Sequence, residues 1–262
     1  MTHTNITDAL SVELTGAIMT LSLNRPAKRN ALNDNIIRGL HALFDGMDGA
    51  VKAVVIQGVG EHFCAGLDLA EVRGRNAGEA MFHSRSWHRA FERIQFGRVP
   101  VISVLKGAVV GGGLELAAAT HVRVAEASAF YALPEGQRGL FLGGGGSVRI
   151  PRLIGVASVS DMMLTGRVLN ASEGQQAGIA QYLVDTGEGL AKALALAEKI
   201  IANAPLTNYG VMHVLPRIAD QSIQDGMMTE ALMAAVAQSD PDTQQRLTAF
   251  VDFKINKVKP AG

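Results

Sequence analysis

Little in this chain could be cross-linked by sulfur. Cys64 is the single cysteine in 262 residues, so neither an intrachain disulfide nor a cysteine-rich metal cluster can form. That usage fits a reducing compartment, and cytoplasmic location is the expectation. Cys64 itself reads as a small buried apolar residue. Aromatic residues are also scarce, at 5%, whereas glycine reaches 29 residues, which points to close helix packing rather than a repetitive or disordered chain. Neither sign of charge is in excess, with 24 Lys+Arg against 24 Asp+Glu, so no basic face is expected for nucleic acid. A long apolar run is missing too. The longest stretch, Val99 to Ala119, is broken by Lys106, Glu115 and a glycine cluster, which argues against a membrane span. Met1 to Asp8 has neither a basic start nor an apolar run, so no signal peptide is read there.

Several familiar motifs are absent as well. Gly111-Gly112-Gly113 and Gly143 to Gly146 both lack the last glycine of a dinucleotide fingerprint, and no phosphate loop ends in Gly-Lys-Ser/Thr. Ser147 has no glycine two residues later and is no nucleophile elbow. His83 and His88 are five residues apart, a spacing that does not put two ligands on one helix face, and no metal site is expected.

What the chain does have is a repeated return of strand, glycine-rich loop and helix. Val12 to Leu21 alternates around Thr15-Gly16 as a hairpin, and Ala53 to Ile56 is a short apolar strand. From Asn33 the period changes, and Ile36, Ile37, Leu40, Leu43, Phe44 and Met47 share one helical face that Asn33 or Asp34 can cap. A more polar helix follows around Glu79 to Gln95. Val99 to Ala119 reads as a buried strand, a Lys106-Gly107 corner and a helix. Beyond Gly187 the pattern turns helical, over Leu190 to Ala202, from Pro205, over Gly226 to Ala237 and from Pro241 to Lys254. Composition and period therefore predict an α/β fold followed by α, of a length that suits one large domain.

Two glutamates stand out against this background. Glu115 in Gly111-Gly112-Gly113-Leu114-Glu115 and Glu135 in Leu133-Pro134-Glu135 each lie beside glycine-rich backbone in apolar sequence. They are either an ion-paired core residue and a turn residue, or a pair of working carboxylates. A helix start draws Glu115 toward its ionised form and burial pushes it the other way, so its pKa direction stays open at this level.

Around these residues the chain resembles the enoyl-CoA hydratase/isomerase (crotonase) superfamily, through separate motifs in collinear order over roughly residues 10 to 255. Leu23-Asn24-Arg25-Pro26 and Arg29-Asn30-Ala31-Leu32-Asn33 resemble its first coenzyme A segment, and Phe63 to Leu69 resembles its first oxyanion segment. Gly111 to Glu115 and Pro134-Glu135 resemble the second oxyanion segment and the catalytic positions. The resemblance implies a spiral of ββα units over residues 1–200 that carries the CoA and acyl site. It also implies a helical region over 201–262 used for trimerisation, as a homotrimer or homohexamer.

For chemistry, the resemblance implies Glu115 and Glu135 as catalytic residues and the backbone N–H groups of Leu67 and Gly112 as an oxyanion hole. Contacts to an acyl-CoA substrate would come from Lys28, Arg29, Ala31, Ala65, Gly66, Asp68, Leu69, Gly111 and Phe250. Phe253 stands where the family often has lysine, a role that Lys254 or Lys257 could fill. Coenzyme A would be part of the substrate, with no separate cofactor. Two carboxylates favour enoyl-CoA hydration over double-bond isomerisation, over hydration coupled to C–C cleavage, and over an inactive acyl-CoA-binding scaffold. Departures from the family pattern gather near the acyl end: Gly136-Gln137-Arg138-Gly139, Leu142 before four glycines, and His121.

Overall fold

A computed structural model describes residues 2–71 and 74–252. The chain separates into a unit of Met1–Ile200 and a unit of Ile201–Gly262. In the first unit the strands are β1 (Thr2–Thr7), β2 (Leu10–Thr15), β3 (Ile18–Leu23), β4 (Ala53–Gly58) and β5 (Val101–Leu105). They continue with β6 (Ala108–Val110), β7 (Val122–Glu126), β8 (Phe130–Ala132), β9 (Leu169–Asn170) and β10 (Tyr182–Val184). Seven of them form one sheet in the order β1-β2-β3-β4-β5-β7-β10, and β6-β8-β9 form a second.

The expected hairpin is β2–β3, antiparallel about Gly16, whose φ of 58° is the left-handed turn a glycine tolerates. From β3 onward the large sheet is parallel. Parallel strands are covered on both faces, which is why Val101 to Leu105 is buried without alternation. The expected strand and Lys106-Gly107 corner are present, and a second short strand, β6, intervenes between the corner and the Glu115 helix. Gly107, with φ 49°, turns the chain out of the large sheet, and β6 then pairs with β8 in the small one. Only three apolar residues, Ala108 to Val110, separate the corner from the helix glycines, which hides this second strand.

The helices of this unit are α1 (Asp34–Asp45), α2 (Ala77–Gln95), α3 (Gly112–Ala118), α4 (Gly146–Thr165), α5 (Ala171–Ala177) and α6 (Gly189–Ile201). The Asn33 side chain caps α1 by accepting from the Ile36 N–H at 3.0 Å, and Ile36, Ile37, Leu40 and Phe44 bury the predicted face. A full capping box of Asn76 and Glu79 starts α2.

The second unit contains α7 (Pro205–Tyr209), a π-helical turn over Gly210–Val214, α8 (Leu215–Ile218), α9 (Ile223–Ser239) and α10 (Pro241–Val251). α9 starts before the expected Gly226 because Ser222 accepts from the Asp225 N–H at 3.2 Å and caps an earlier turn. Phe250 lies on α10 and is half exposed. Phe253, Lys254 and Lys257 fall outside the described residues. Among the described residues no helix is long and apolar enough to cross a membrane.

Candidate active site

Two loops are drawn together by backbone pairing. Cys64 bridges Val109, with the Val110 N–H donating to the Cys64 carbonyl at 3.0 Å. Leu32 bridges Leu67: the Leu32 N–H donates to the Gly66 carbonyl at 2.7 Å and the Asp68 N–H to the Leu32 carbonyl at 2.8 Å. In a parallel bridge of this kind the intervening Leu67 N–H faces the other way, and it meets no acceptor among the described residues. Gly112 opens α3, so its N–H is an orphan of the helix start.

These two amides converge. A Cβ added to Gly66 would lie 3.1 Å from the Gly112 nitrogen, and one on Gly112 would lie 3.3 Å from the Leu67 nitrogen. The approach needs glycine at 66, where φ is 92° and the same Cβ would meet the Val110 carbonyl oxygen at 2.6 Å.

Glu115 projects from the first turn of α3 and is 4% exposed. Its Oε1 accepts from the N–H groups of Gly144 and Gly146, both at 2.8 Å. The glycine-rich turn permits this approach, since a Cβ on Gly146 would come within 2.5 Å of the Glu115 Cγ. Burial pushes the Glu115 carboxyl up from an ordinary 4.5 to about 7, against the two amides and Arg149, while the Glu135 carboxylate adds a smaller push upward. The direction left open by the sequence is thus decided by desolvation.

Glu135 starts the short turn Gly136–Arg138. Its carboxyl rests against Gly111, where an added Cβ would lie 2.5 Å from Oε1, and its Oε2 is buried without a hydrogen-bond partner. Burial raises its pKa, opposed by its own backbone amide and by the charge of Arg138. Neither glutamate has an ion-pair partner among the described residues, so an ion-paired core glutamate does not describe Glu115.

A raised carboxyl pKa makes the folded state bind its proton more tightly than the unfolded one. The stability contributed by protonated Glu115 is full below pH 4.5 and is lost as pH rises through about 7. Glu115→Gln keeps the acceptor for both amides but removes the buried charge. The variant is expected to be more stable than the wild type at pH 8 by about 1–3 kcal/mol, with the difference closing toward pH 5. Urea denaturation at the two pH values measures this, and a pH-independent difference would contradict it.

Both carboxyls, both amides and Gly111 line one cleft of about 810 Å³ that includes an open mouth. Ala80, His83, Ser84 and Trp87 of α2 line it too, as do Arg138, Leu140 and Phe141. His83 Nε2 lies 2.8 Å from Asp34 Oδ1, and Arg75 also pairs with Asp34 at 3.2 Å. Ser84 Oγ donates to the Gly143 carbonyl at 2.5 Å, and Arg149 bridges the Gly144 carbonyl at 3.2 Å and Gln95 Oε1 at 2.6 Å. Both interactions brace the turn that binds Glu115. The lining role of His83 and Ser84 was missed when histidines were weighed as metal ligands alone. Their signal is the recurrence of Ala80, His83, Ser84 and Trp87 at three- and four-residue intervals, which defines one face of α2.

Of the departures at the acyl end, Arg138 and the first two of the four glycines, Gly143 and Gly144, join this lining. Gln137 instead packs over Gly166. His121 is structural: Nδ1 accepts from the Val101 N–H and Nε2 faces the Gln95 carbonyl, each at 2.9 Å.

The residues expected to meet coenzyme A form a braced corner. Arg25 pairs with Asp68 at 3.0 Å and donates to the Ala31 carbonyl at 2.7 Å, while the Ala65 N–H donates to the Arg29 carbonyl at 2.9 Å. Arg25 holds the Asp68 carboxyl below the usual carboxylate range. Asp68 is therefore engaged inside the protein, whereas Lys28 and Arg29 are exposed. Lys28, Asp68, Leu69 and Ala70 line a shallow groove, and Leu69 also borders the large cleft. Phe250 belongs to the other unit.

Asn30 locks this corner from below. Fully buried at φ 56°, it accepts from the Arg25 N–H at 2.9 Å and donates to the carbonyls of Val59 at 3.0 Å and His62 at 2.7 Å. Asn30→Ala is expected to cost about 2–4 kcal/mol by denaturant titration, because three backbone groups lose a fully buried partner at a backbone angle that disfavours alanine.

Paired amides facing two desolvated carboxyls give the chain a distinctive centre, and its relatives can be set beside it. The sequence matches the family Enoyl-CoA hydratase/isomerase over residues 13–257. It is 33% identical over 210 residues to Enoyl-CoA hydratase EchA19 of Mycobacterium tuberculosis, covering 78% of this chain and 79% of that protein. A crystal structure from Rhodopseudomonas palustris CGA009, provisionally named an enoyl-CoA hydratase, superposes with a TM-score of 0.93 at 55% identity, over 97% of this chain and 98% of the other. Enoyl-CoA hydratase from Bacillus anthracis superposes with a TM-score of 0.87 at 28% identity, over 94% and 96% of the two chains. With the family match spanning nearly the whole sequence and the folds superposing end to end, this chain belongs to the enoyl-CoA hydratase/isomerase family.

Proposed function

We propose that this protein is an enoyl-CoA hydratase that adds water across a trans-2-enoyl-CoA thioester, with Glu115 and Glu135 as its proton-transfer groups. The observation that carries the reading is the placement of two unpaired, buried carboxyls in one cleft with two unoccupied backbone amides. The thioester oxygen accepts from the N–H groups of Leu67 and Gly112, and the electron withdrawal reaches the β-carbon through the conjugated double bond. A water held between the carboxyls attacks that carbon. One glutamate takes the proton from the water, the other gives a proton to the α-carbon, and the product is the 3-hydroxyacyl thioester. Burial raises both carboxyl pKa values, which suits a pair that holds one proton near neutral pH.

The protons and the water balance the reaction, so the proposal includes no metal, nucleotide or nicotinamide. The Lys28–Arg29 corner would receive the CoA phosphates, and the groove at Leu69 would lead the pantetheine arm to the cleft. The working form would be a cytoplasmic homotrimer or homohexamer. Support for association comes from α9, where Ile223, Met227, Met228, Leu232 and Val236 are all more than half exposed.

The test is a panel of trans-2-enoyl-CoA thioesters incubated in chelator-treated buffer. Loss of the conjugated absorbance with a product heavier by one water is the expected result. An unchanged mass with a migrated double bond would replace hydration by isomerisation.

A further inference from the structure

The proposed hydration makes no use of three polar side chains in the cleft, those of His83, Ser84 and Arg138. Two of them are engaged elsewhere, Ser84 with the Gly143 carbonyl and His83 with Asp34. Arg138 is not. Among the described residues it forms no ion pair and no side-chain hydrogen bond, and no other described Lys or Arg lines the cleft.

Its backbone is nevertheless held in place. The Arg138 N–H donates to the Glu135 carbonyl at 3.0 Å, the Leu140 N–H donates to the same oxygen at 2.9 Å, and Gly139 at φ 69° closes the turn. Arg138 is exposed to solvent while it lines the cleft, and Glu135 feels its charge. Leu140 and Phe141 give the adjoining wall an apolar character. A wholly hydrocarbon acyl tail laid along that wall would strip water from the guanidinium and return nothing for it. A tail ending in a carboxylate would satisfy the five-donor fork with a charge-assisted, bidentate pair.

Resting on the hydratase reading, we propose that Arg138 is a specificity-determining residue that selects enoyl-CoA thioesters whose acyl tail carries a terminal carboxylate. The substrate class is thus the CoA monothioester of an unsaturated dicarboxylic acid. The reaction that supplies it would be CoA ligation or dehydrogenation of a dicarboxylic monothioester.

Two measurements with the intact protein and the variants Arg138→Gln and Arg138→Lys test this. In the first, kcat/KM is compared for trans-2-enoyl-CoA substrates of equal chain length ending in methyl or in carboxylate. The wild type should prefer the carboxylate by about 10–100-fold, R138Q should lose that preference, and R138K should keep part of it because it offers a point charge without the fork. Because Arg138 also acts on Glu135, only the ratio between substrates counts. In the second, calorimetry compares the saturated probes adipyl-CoA and hexanoyl-CoA, where the same R138-dependent discrimination is expected in Kd. An equal loss on both tails, as from a contact to CoA itself, would overturn the proposal, as would an unchanged ratio in R138Q. If neither enoyl thioester is hydrated but adipyl-CoA still binds tighter through Arg138, the hydratase reading falls and the assignment of Arg138 stands.

Discussion

Glu135→Gln is expected to lower hydration turnover by about 10²–10⁴-fold while leaving the fold and thioester binding nearly intact. Glutamine keeps the shape that rests against Gly111, so the adjoining amide of Gly112 stays in place. It cannot take up or release a proton at neutral pH. The unpartnered Oε2 of Glu135 is the atom at stake, because no donor among the described residues holds it. Stopped absorbance assays on the purified variant, with circular dichroism to check folding, measure the effect. Hydration near the wild-type rate would remove Glu135 from the proton transfers and leave Glu115 as the single working carboxylate.

The second large effect is expected at a residue with no side chain. Gly66→Ala should reduce kcat by about 10²–10³-fold, the usual consequence of losing one oxyanion donor. The added methyl would meet the Val110 carbonyl oxygen at 2.6 Å at a φ of 92°, so the backbone must move, and the Leu67 N–H moves with it. Leu67→Ala is the control. It alters the side chain but keeps the N–H, and its kcat should stay within about tenfold of the wild type, since the donor worth a hundredfold or more is unchanged. Equal losses in the two variants would assign the position to packing of the cleft wall rather than to the amide.

These expectations differ in how far they could be read before folding. The α1 face and its Asn33 cap are local, set by spacing and one side chain, and the hairpin about Gly16 is equally short-range. Glu115 and Glu135 were legible as candidates because glycine beside an apolar carboxylate is unusual. Their relation to each other was not legible, since it depends on Gly111 pairing with β8 and on the Gly143 to Gly146 turn folding back onto α3. The short strand β6 was hidden because only three apolar residues stand between the Lys106-Gly107 corner and the helix glycines, too few for a strand period to show.

Charge balance at depth was also beyond the sequence. The helix start and burial act on Glu115 in opposite senses, and burial is the largest effect, prevailing over the amides of Gly144 and Gly146 that reach Oε1. Asp68 showed the reverse case: it stands within the oxyanion motif, yet its carboxylate is committed to Arg25 from a loop 43 residues earlier. Arg138 was visible only as a departure beside Glu135, and its neighbour Gln137 stood out equally. The folded chain separates them, placing Gln137 over Gly166 and Arg138, exposed, along the cleft lining.

The central claim is that two glutamates share one water and deliver its parts to adjacent carbons. Incubating the enzyme with trans-2-enoyl-CoA in oxygen-18 water, and separately in deuterium oxide, tests it most directly by mass spectrometry of the product. The predicted result is oxygen-18 in the β-hydroxyl from the first and one deuterium on the α-carbon from the second, with both labels suppressed in Glu135→Gln. A displaced double bond without oxygen label, or release of an aldehyde with acetyl-CoA, would contradict it.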